Sequence, residues 1–536
     1  MCTAIRNVSR LRLLKSRCRS AGAVFVLFAL ASCAWAQGES LGDYARKIRT
    51  QRQSDVLVSA EDGRQLFKFV DEITQFSSQD SGLPRLAPVK RKLIGHAEAE
   101  GHFKSQSEDE AQRERRIEES ALVLKKFGML PAEFELGPAL DRQTVNSLAG
   151  FYEFKDKTMY LLNWIAPDLQ KSVMAHELTH ALQDQNFSLS AFLGGSQQQQ
   201  NMRQMSMQQD DAAEISLARR AVVEGQASVV AADFALKNLG LNLAESPHAR
   251  ELAESYLQGS YSSPVTIHNA PRLLREIMVF PYREGLQFEL ELLAHGGRQA
   301  AFQGAFKRPP LNSHHILQPE AYFKNEKTPR VEIGDLTSLF DGAYEAYDSG
   351  SVGELDVQVM SEEFGRENDI YTVARKWDGG AYVAVKRTGL AEDAKVTTSD
   401  LALVYVSRWK TQKAAERFGQ IYLQAMARRL PMGATAERRC EAEKCPGALW
   451  EQHAQSSEGP VNVELWPGNV LIITHSVDDA RMAPLRPILL APAKNQHASL
   501  IEDELAPRLF AMPQIQALSE QAGIAIYEGI LRQLMQ

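Results

Sequence analysis

Cysteine is scarce in this sequence, and its distribution does not suit a metal site. Only five of the 536 residues are Cys, and three of them lie within the first 33 residues. The other two, Cys440 and Cys445, have no histidine beside them and cannot supply the four ligands of a structural zinc site. We predict that they form a local disulfide in an oxidising compartment, with two unpaired thiols as the alternative.

Long apolar runs and an excess of basic residues are also absent. The apolar run at residues 21–31 has 11 residues, too few to span a bilayer comfortably. The net charge is −7, and no cluster of Lys and Arg is interleaved with aromatic residues. Because an acidic chain repels phosphate backbones, we predict that the protein does not bind nucleic acid.

What is present is the composition of an average folded protein. Hydrophobic residues make up 44% of the chain and charged residues 24%, which excludes collagen-like, coiled-coil and wholly disordered proteins. The length indicates about three to four domains. No fixed-period repeat is found along the chain.

The N-terminus has the features of a bacterial export signal. Six bases and no acid precede the short apolar run, and their removal shifts the net charge from −7 to −13. Two processing sites overlap: Ala34 and Ala36 suit cleavage after residue 36, whereas Cys33 ends a lipobox-like sequence and would be lipidated. We predict an exported protein that is periplasmic, secreted, or attached to the envelope membrane through Cys33. An uncleaved N-terminal anchor is the remaining alternative.

The hydrophobic periodicity predicts an α+β fold with three regions after the signal at residues 1–36. Residues 37–145 form a helical lead-in or a prosegment. Residues 146–330 are mainly helical and begin with a β-hairpin, which precedes a helix that starts near Pro167. Residues 331–536 form a C-terminal α+β domain of unassigned role, with a largely antiparallel sheet.

Individual elements follow from the same patterns. The hairpin is predicted at residues 150–162, and helical spacing at residues 89–130, 212–239 and 271–306. In the C-terminal region, strands are predicted at residues 355–364, 381–387, 401–406, 461–466 and 470–474, and a helix at residues 411–429.

The most informative sequence is HELTH at residues 176–180. On a helix, positions i and i+4 share a face, so His176 and His180 can bind one metal ion, with Glu177 beside a metal-bound water. Zn²⁺ suits such ligands and, with three of them from the protein, keeps one position for water. The metal lowers the pKa of that water and Glu177 takes its proton. Two surface histidines spaced by chance are the alternative.

The third metal ligand must come from elsewhere in the chain. A histidine six residues after His180, as in metzincins, is excluded because that position is Asn186. We predict Glu224 as the third ligand, because the small residues that follow it in VEGQAS would let its helix pack closely against the metal helix. Glu214 is the competing candidate but lacks this context. A buried salt bridge is the alternative role for Glu224.

Together these motifs resemble the gluzincin zinc metallopeptidases of the peptidase MA superfamily. The resemblance covers about residues 148–322, and the order of motifs is similar to that of uncharacterised secreted bacterial gluzincin-like proteins. It implies a peptidase that holds one Zn²⁺ and acts on a peptide or protein. The Gln-rich insertion between His180 and Glu224 departs from the family. The Gly-x-Met-Glu-Asn sequence of its aminopeptidases is missing, so exopeptidase activity has no support.

Two further features would serve such a reaction. The hairpin before the metal helix offers an edge to an extended substrate, or it is a plain core hairpin. For the oxyanion, the resemblance indicates Tyr282 in FPYREG, with a core tyrosine as the alternative. His314 and His315 are second candidates, although adjacent loop histidines are usually exposed. Asp184 is predicted to face solvent.

The leading hypothesis is an exported zinc metallopeptidase with Glu177 as general base. One alternative is an envelope binding or scaffold protein with a non-catalytic zinc site, against which the intact Glu177 argues. Another is a zinc hydrolase that uses the same residues on a non-peptide amide or ester. The sequence carries no signal for an oligomeric state.

Overall fold

The computed structural model describes residues 58–105, 110–137, 150–165, 167–193, 212–259, 270–333, 336, 340, 342–391, 394–440 and 447–490. All of them belong to one compact unit that begins at Val58. Their fold is α+β, as predicted, with two separate sheets. The predicted signal peptide, Cys33 and most of the Gln-rich insertion lie outside the described residues.

The helices account for most of the regular structure. Their bounds are α1 Ala60–Phe67, α2 Val70–Ser81, α3 His96–Ser105, α4 Glu110–Phe127, α5 Pro167–Phe187, α6 Leu189–Phe192, α7 Ala212–Leu236, α8 Pro247–Gly259, α9 Arg272–Gln299, α10 Ala305–Lys307, α11 Ser313–Leu317, α12 Pro319–Phe323, α13 Glu354–Phe364, α14 Asp369–Thr372, α15 Gln412–Arg429 and α16 Asp479–Leu490. A π turn, Ala300–Gly304, joins α9 to α10. Within the part of the chain that the structure describes, no helix combines the length and apolar character needed to cross a membrane.

The strands form a small sheet and a large one. Their bounds are β1 Lys90–Ile94, β2 Gly150–Glu153, β3 Thr158–Leu162, β4 Tyr344–Ser351, β5 Trp377–Arg387, β6 Leu401–Trp409, β7 Met432–Arg439, β8 Trp450–Ser456, β9 Gly459–Trp466 and β10 Val470–His475. The small sheet has the order β1-β3-β2, and the large sheet has the order β4-β5-β6-β10-β9-β8-β7.

The small sheet contains the predicted hairpin and one strand that the sequence did not reveal. β2 and β3 pair antiparallel, and the turn between them is closed by Lys157 in the left-handed region, with φ 59°. β1 pairs parallel with β3. The predicted continuous helix over residues 89–130 is therefore wrong at its start. β1 reads KRKLI and its first three residues are exposed, so it lacks the apolar alternation that marks a strand.

The large sheet is antiparallel throughout and carries helices on both faces. Leu403 of β6 lies in the core with Phe418 of α15, whereas its neighbour Val404 lies in the core with Met482 of α16. This alternation is the period of two expected of a strand buried on both faces. The predicted antiparallel sheet is confirmed.

One predicted strand of the C-terminal region is a helix. Residues 355–364 lie in α13, which begins after Gly353, whose N–H donates to Asp356 Oδ2 over 2.8 Å. The sequence LDVQVM alternates apolar and polar residues and so resembles a strand. Its apolar residues Leu355, Val359 and Met360 also fit a helical face, and α13 buries that face against α15.

The predicted disulfide is supported at one of its two cysteines. Cys440, at the end of β7, is disulfide-bonded. Cys445, its predicted partner, lies outside the described residues. The alternative of two unpaired thiols is wrong for Cys440.

Candidate metal centre

Helix α5 presents the two histidines on one face. Its other faces are filled by core residues such as Met174, Leu178 and Leu182, none of which is exposed. The rings of His176 and His180 lie edge to face with centroids 4.6 Å apart, as the i, i+4 spacing predicts. The local helix geometry alone therefore brings both imidazoles together.

Helix α7 brings Glu224 to the same place. Glu224 Oε2 lies 3.1 Å from His176 Nε2 and 3.3 Å from His180 Nε2. One ligand atom from each of the three residues lies within 4.8 Å of the others, so the group can hold a metal ion. Ligand atoms about 2.0–2.1 Å from a tetrahedral zinc are about 3.3 Å apart, so the two distances from Glu224 Oε2 match that spacing, and imidazole and carboxylate are ligands that zinc accepts.

Glu214, the competing candidate for third ligand, is used elsewhere. It lies ten residues before Glu224 on α7, which is about 15 Å along the helix axis. Glu214 Oε2 accepts the main-chain N–H of Ser313 over 2.9 Å and the hydroxyl of Ser313 over 2.6 Å. The carboxylate thus holds the first turn of α11 and does not reach the histidines.

The electrostatics of the cluster couple the two histidines to Glu224. Burial acts to lower the pKa of His180, but the Glu224 carboxylate outweighs it and raises that pKa to about 9. Burial likewise acts to raise the pKa of Glu224, but the imidazoles of His180 and His176 hold it well below its usual range. Without a metal, the cluster therefore retains a proton between imidazole and carboxylate, and a metal would displace it.

Glu177 is buried between the cluster and the hairpin. Burial raises its pKa, the two adjacent histidines act to lower it, and the backbone of Tyr152 donates a hydrogen bond to its carboxylate. The hairpin lies directly on the helix: a Cβ added to Gly150 would come 2.8 Å from Val173 Cγ1 and 3.8 Å from Glu177 Cγ. The start of β2 thus places main chain beside Glu177.

Asp184 does not face solvent, contrary to the sequence prediction. Its Oδ2 accepts hydrogen bonds from the hydroxyl of Tyr152, over 3.0 Å, and from the ammonium of Lys157. Its Oδ1 accepts the main-chain N–H of Leu189 over 3.0 Å. Asp184 therefore fastens β2 and the hairpin turn to α5, one helical turn beyond His180.

Tyr282 lies beside the cluster, where the sequence predicted it. It is buried on α9, and its ring is nearly parallel to that of His176, with the centroids 6.1 Å apart. The approach of α9 depends on two glycines: a Cβ on Gly225 would come 2.3 Å from Gly285 O, and a Cβ on Gly285 would come 2.2 Å from Ala221 O. Gly225, the small residue after Glu224, therefore allows α9 to approach α7 closely. The sequence analysis had predicted this close approach for the metal helix instead.

His314 and His315 are not exposed loop residues. Both are buried in α11. His314 Nδ1 contacts the Glu354 carboxylate. His315 Nδ1 accepts the N–H of Leu311 over 3.3 Å, and its Nε2 lies 2.8 Å from the Glu326 carbonyl. These contacts engage both ring nitrogens of His315 and Nδ1 of His314 with residues other than the three of the cluster, which gives no support to either histidine as an oxyanion donor.

Two buried glutamines beside the cluster were missed by the sequence analysis. Gln183 Oε1 lies 2.8 Å from Nδ1 of His180, and Gln183 Nε2 lies 3.0 Å from Oε1 of Gln226. Both glutamines are fully buried. The available signal was an amide three residues after His180, but its partner Gln226 is 43 residues away on α7.

Comparisons with protein-family models, with curated proteins and with solved structures find no match.

Proposed function

We propose that this protein is an exported zinc-dependent metallopeptidase of the gluzincin type. The observation that carries the proposal is the convergence of His176 Nε2, His180 Nε2 and Glu224 Oε2, with distances of 3.1 and 3.3 Å to the carboxylate oxygen. Glu177 follows His176 directly and is buried beside the group. Zn²⁺ bound there would act as a Lewis acid and lower the pKa of a coordinated water.

Side chains of the protein would perform the remaining steps of the reaction. Glu177 would accept the proton of the attacking water and pass it to the leaving amine. Tyr282, which stacks beside His176, would donate its hydroxyl proton in a hydrogen bond to the developing oxyanion. Among the described residues no strand pairs with the outer edge of β2, so an extended peptide laid along that edge would reach Glu177.

Two other functions would use parts of the same site. A hydrolase of a non-peptide amide or ester would need the same base and ligands. An envelope scaffold with a non-catalytic zinc site would need only the three ligands, and would not require a buried carboxylate at position 177. The location of Glu177 favours hydrolysis over the scaffold function.

The test combines metal analysis with hydrolysis of a mixed peptide library by the purified full chain. We expect one zinc per wild-type chain and cleavage of peptides. Glu177→Gln should keep the zinc and lose at least about 100-fold in kcat/KM, because the amide cannot take a proton. Glu224→Ala should lose the zinc itself. Glu251→Gln, on the exposed side of α8, serves as the matched control and should change neither.

Each outcome separates the candidate functions. Unchanged cleavage by the Glu177→Gln variant would refute the peptidase mechanism. A wild-type chain that binds one zinc but cleaves only non-peptide amides or esters would identify the hydrolase alternative. A chain that binds zinc and cleaves neither class of substrate would identify the scaffold.

A further inference from the structure

A chain of two buried amides stands behind the candidate ligand His180. Gln183 Oε1 is 2.8 Å from His180 Nδ1, and Gln183 Nε2 donates to Val223 O and to Gln226 Oε1, each over 3.0 Å. Gln226 Nε2 donates in turn to Ala301 O over 2.8 Å. The chain thus runs from the metal helix through α7 to the π turn after α9.

Two main-chain carbonyls determine which way both amides point. A carbonyl oxygen only accepts hydrogen bonds, so the atom facing Ala301 O must be the nitrogen of Gln226, and its oxygen must face Gln183. The atom of Gln183 that faces Val223 O must also be nitrogen. Both hydrogens of that nitrogen are then used, and the oxygen of Gln183 must face His180.

This orientation dictates the state of the His180 ring. Because Gln183 Oε1 can only accept, Nδ1 of His180 must carry a hydrogen. When the ring is neutral, as a metal ligand must be, its lone pair therefore lies on Nε2, the atom that is 3.3 Å from Glu224 Oε2. Metal-bound histidines are held in the same way when their second nitrogen donates to a fixed acceptor.

We propose that Gln183 and Gln226 are positioning residues that hold His180 with Nε2 directed at the metal. The inference rests on the metal site of the proposed function but not on hydrolysis. The two linked amides, here called the relay, carry no charge. Glu224 therefore supplies the only negative charge among the three ligands, and a divalent ion bound by these ligands would keep a net positive charge. The last acceptor, Ala301, lies in the π turn, a feature that is frequent near functional sites.

The test measures zinc affinity of the full chain by competition with a chromogenic chelator. Gln183→Met keeps the side-chain length and removes the acceptor, and should weaken zinc binding by about 10- to 100-fold. Gln226→Met touches no ligand and should weaken it less. The double variant should bind no more weakly than Gln183→Met, because both substitutions break one relay. Gln185→Met, on the same helix as Gln183, removes hydrogen bonds to Leu86 and Ala87 of the segment before β1; it is the control and should keep wild-type affinity.

A second measurement detects the ring N–H proton of each histidine ligand directly. In the cobalt-substituted protein, each histidine ligand should give one exchangeable, paramagnetically shifted N–H proton signal. We expect the His180 signal to exchange faster with solvent in Gln183→Met and the His176 signal to be unchanged. Wild-type affinity together with wild-type exchange in Gln183→Met would overturn the relay. If Gln183→Met does not fold, Gln226→Met decides by the same two readouts. If Gln183→Met weakens zinc binding while the zinc-loaded wild-type chain cleaves no peptide, the relay is supported and the peptidase proposal is refuted.

Discussion

Glu224 and Glu214 share one helix, but only Glu224 reaches the histidines. Ten residues at about 100° each turn the helix through about 280° beyond two full turns, so the two carboxylates leave α7 on different sides as well as about 15 Å apart. The sequence singled out Glu224 through the small residues beside it. The small residue Gly225 does allow a close helix contact, but its partner is α9.

Tyr282 gives the sharpest test of a single side chain beyond the ligands and the base. Tyr282→Phe keeps the ring next to His176 and removes the hydroxyl. We expect kcat on a peptide substrate to fall by about 100-fold or more, with zinc content and KM nearly unchanged, because the lost hydrogen bond exists only in the transition state.

A second buried tyrosine provides the control for this experiment. Tyr322 donates a hydrogen bond from its hydroxyl to Arg308 O over 2.8 Å, and this bond involves none of the candidate metal ligands. Tyr322→Phe should lower stability slightly and leave kcat unchanged. An unchanged kcat in Tyr282→Phe would return Tyr282 to an ordinary core role.

The residues that sequence could identify are those whose geometry is local. His176, Glu177 and His180 lie within one and a half turns of α5, so their spacing alone sets their relation. Gln183 and Asp184 continue the same helix, but their partners are 43 and 32 residues away, respectively. Their roles depend on how α7 and the hairpin pack, and no local pattern carries that information.

At the scale of elements, the site depends on the crossing of α7 and α9. The two helices touch main chain to main chain at Gly225 and Gly285. One side of this contact carries Glu224 and the other carries Tyr282, three residues before Gly285. The distance between the helices therefore sets the distance between Glu224 and Tyr282.

Gly225→Ala should force these helices apart. Its Cβ would lie 2.3 Å from Gly285 O, an atom of backbone that cannot rotate away. We expect a loss of about 1–3 kcal/mol in the free energy of unfolding, measured with urea, and weaker zinc binding because Glu224 shifts. Gly101→Ala, on α3 with no atom within 4 Å of the added Cβ, should instead raise stability by up to about 1 kcal/mol. Equal effects of the two substitutions would show that the crossing is not tight in solution.

The elements that sequence mispredicted depend on distant partners. β1 is a strand because β3, which begins 68 residues later, pairs with it in parallel, and a charged edge strand has no apolar alternation of its own. α13 has strand-like alternation but is buried as a helix against α15. In both cases tertiary contacts override a weak local preference, whereas the hairpin and the long helices α5, α7 and α9 were predicted from residues within the elements themselves.

At the scale of the molecule, residues before the hairpin are built into the same core as the rest. β1 completes the small sheet, and α4 packs the ring of Phe127 against Tyr382 and Tyr405 of the large sheet, with centroids 5.1 and 5.8 Å away. Removal of the predicted lead-in would uncover both sheets. This packing favours a fixed part of the fold over a discarded prosegment for the described residues of this region.

Lys126 is the strongest polar link between the lead-in and the C-terminal region. Its ammonium is fully buried and donates to Thr398 O over 2.8 Å, to Glu458 Oε2 over 2.9 Å and to Ser476 Oγ over 2.8 Å. Burial acts to raise the pKa of Glu458, but Lys126 and then Arg429 outweigh it and lower that pKa to about 2. A carboxyl with a lowered folded pKa contributes stability that is present above its ordinary pKa, near 4.5, and is lost as the pH falls towards 2.

Lys126→Met should therefore destabilise the molecule in a pH-dependent way. At neutral pH we expect a loss of about 3 kcal/mol, because Glu458 stays buried with only Arg429 to balance it. Without Lys126 the pKa of Glu458 in the folded state rises. The free energy of unfolding of the variant therefore falls less on acidification than that of the wild type. The difference between wild type and variant in urea unfolding should shrink as the pH falls below about 4.5.

Lys413→Met, on the exposed side of α15, should change stability by less than about 0.5 kcal/mol at any pH. A constant difference across this pH range would show that Lys126 contributes through packing alone, and that charge does not join the lead-in to the C-terminal sheet.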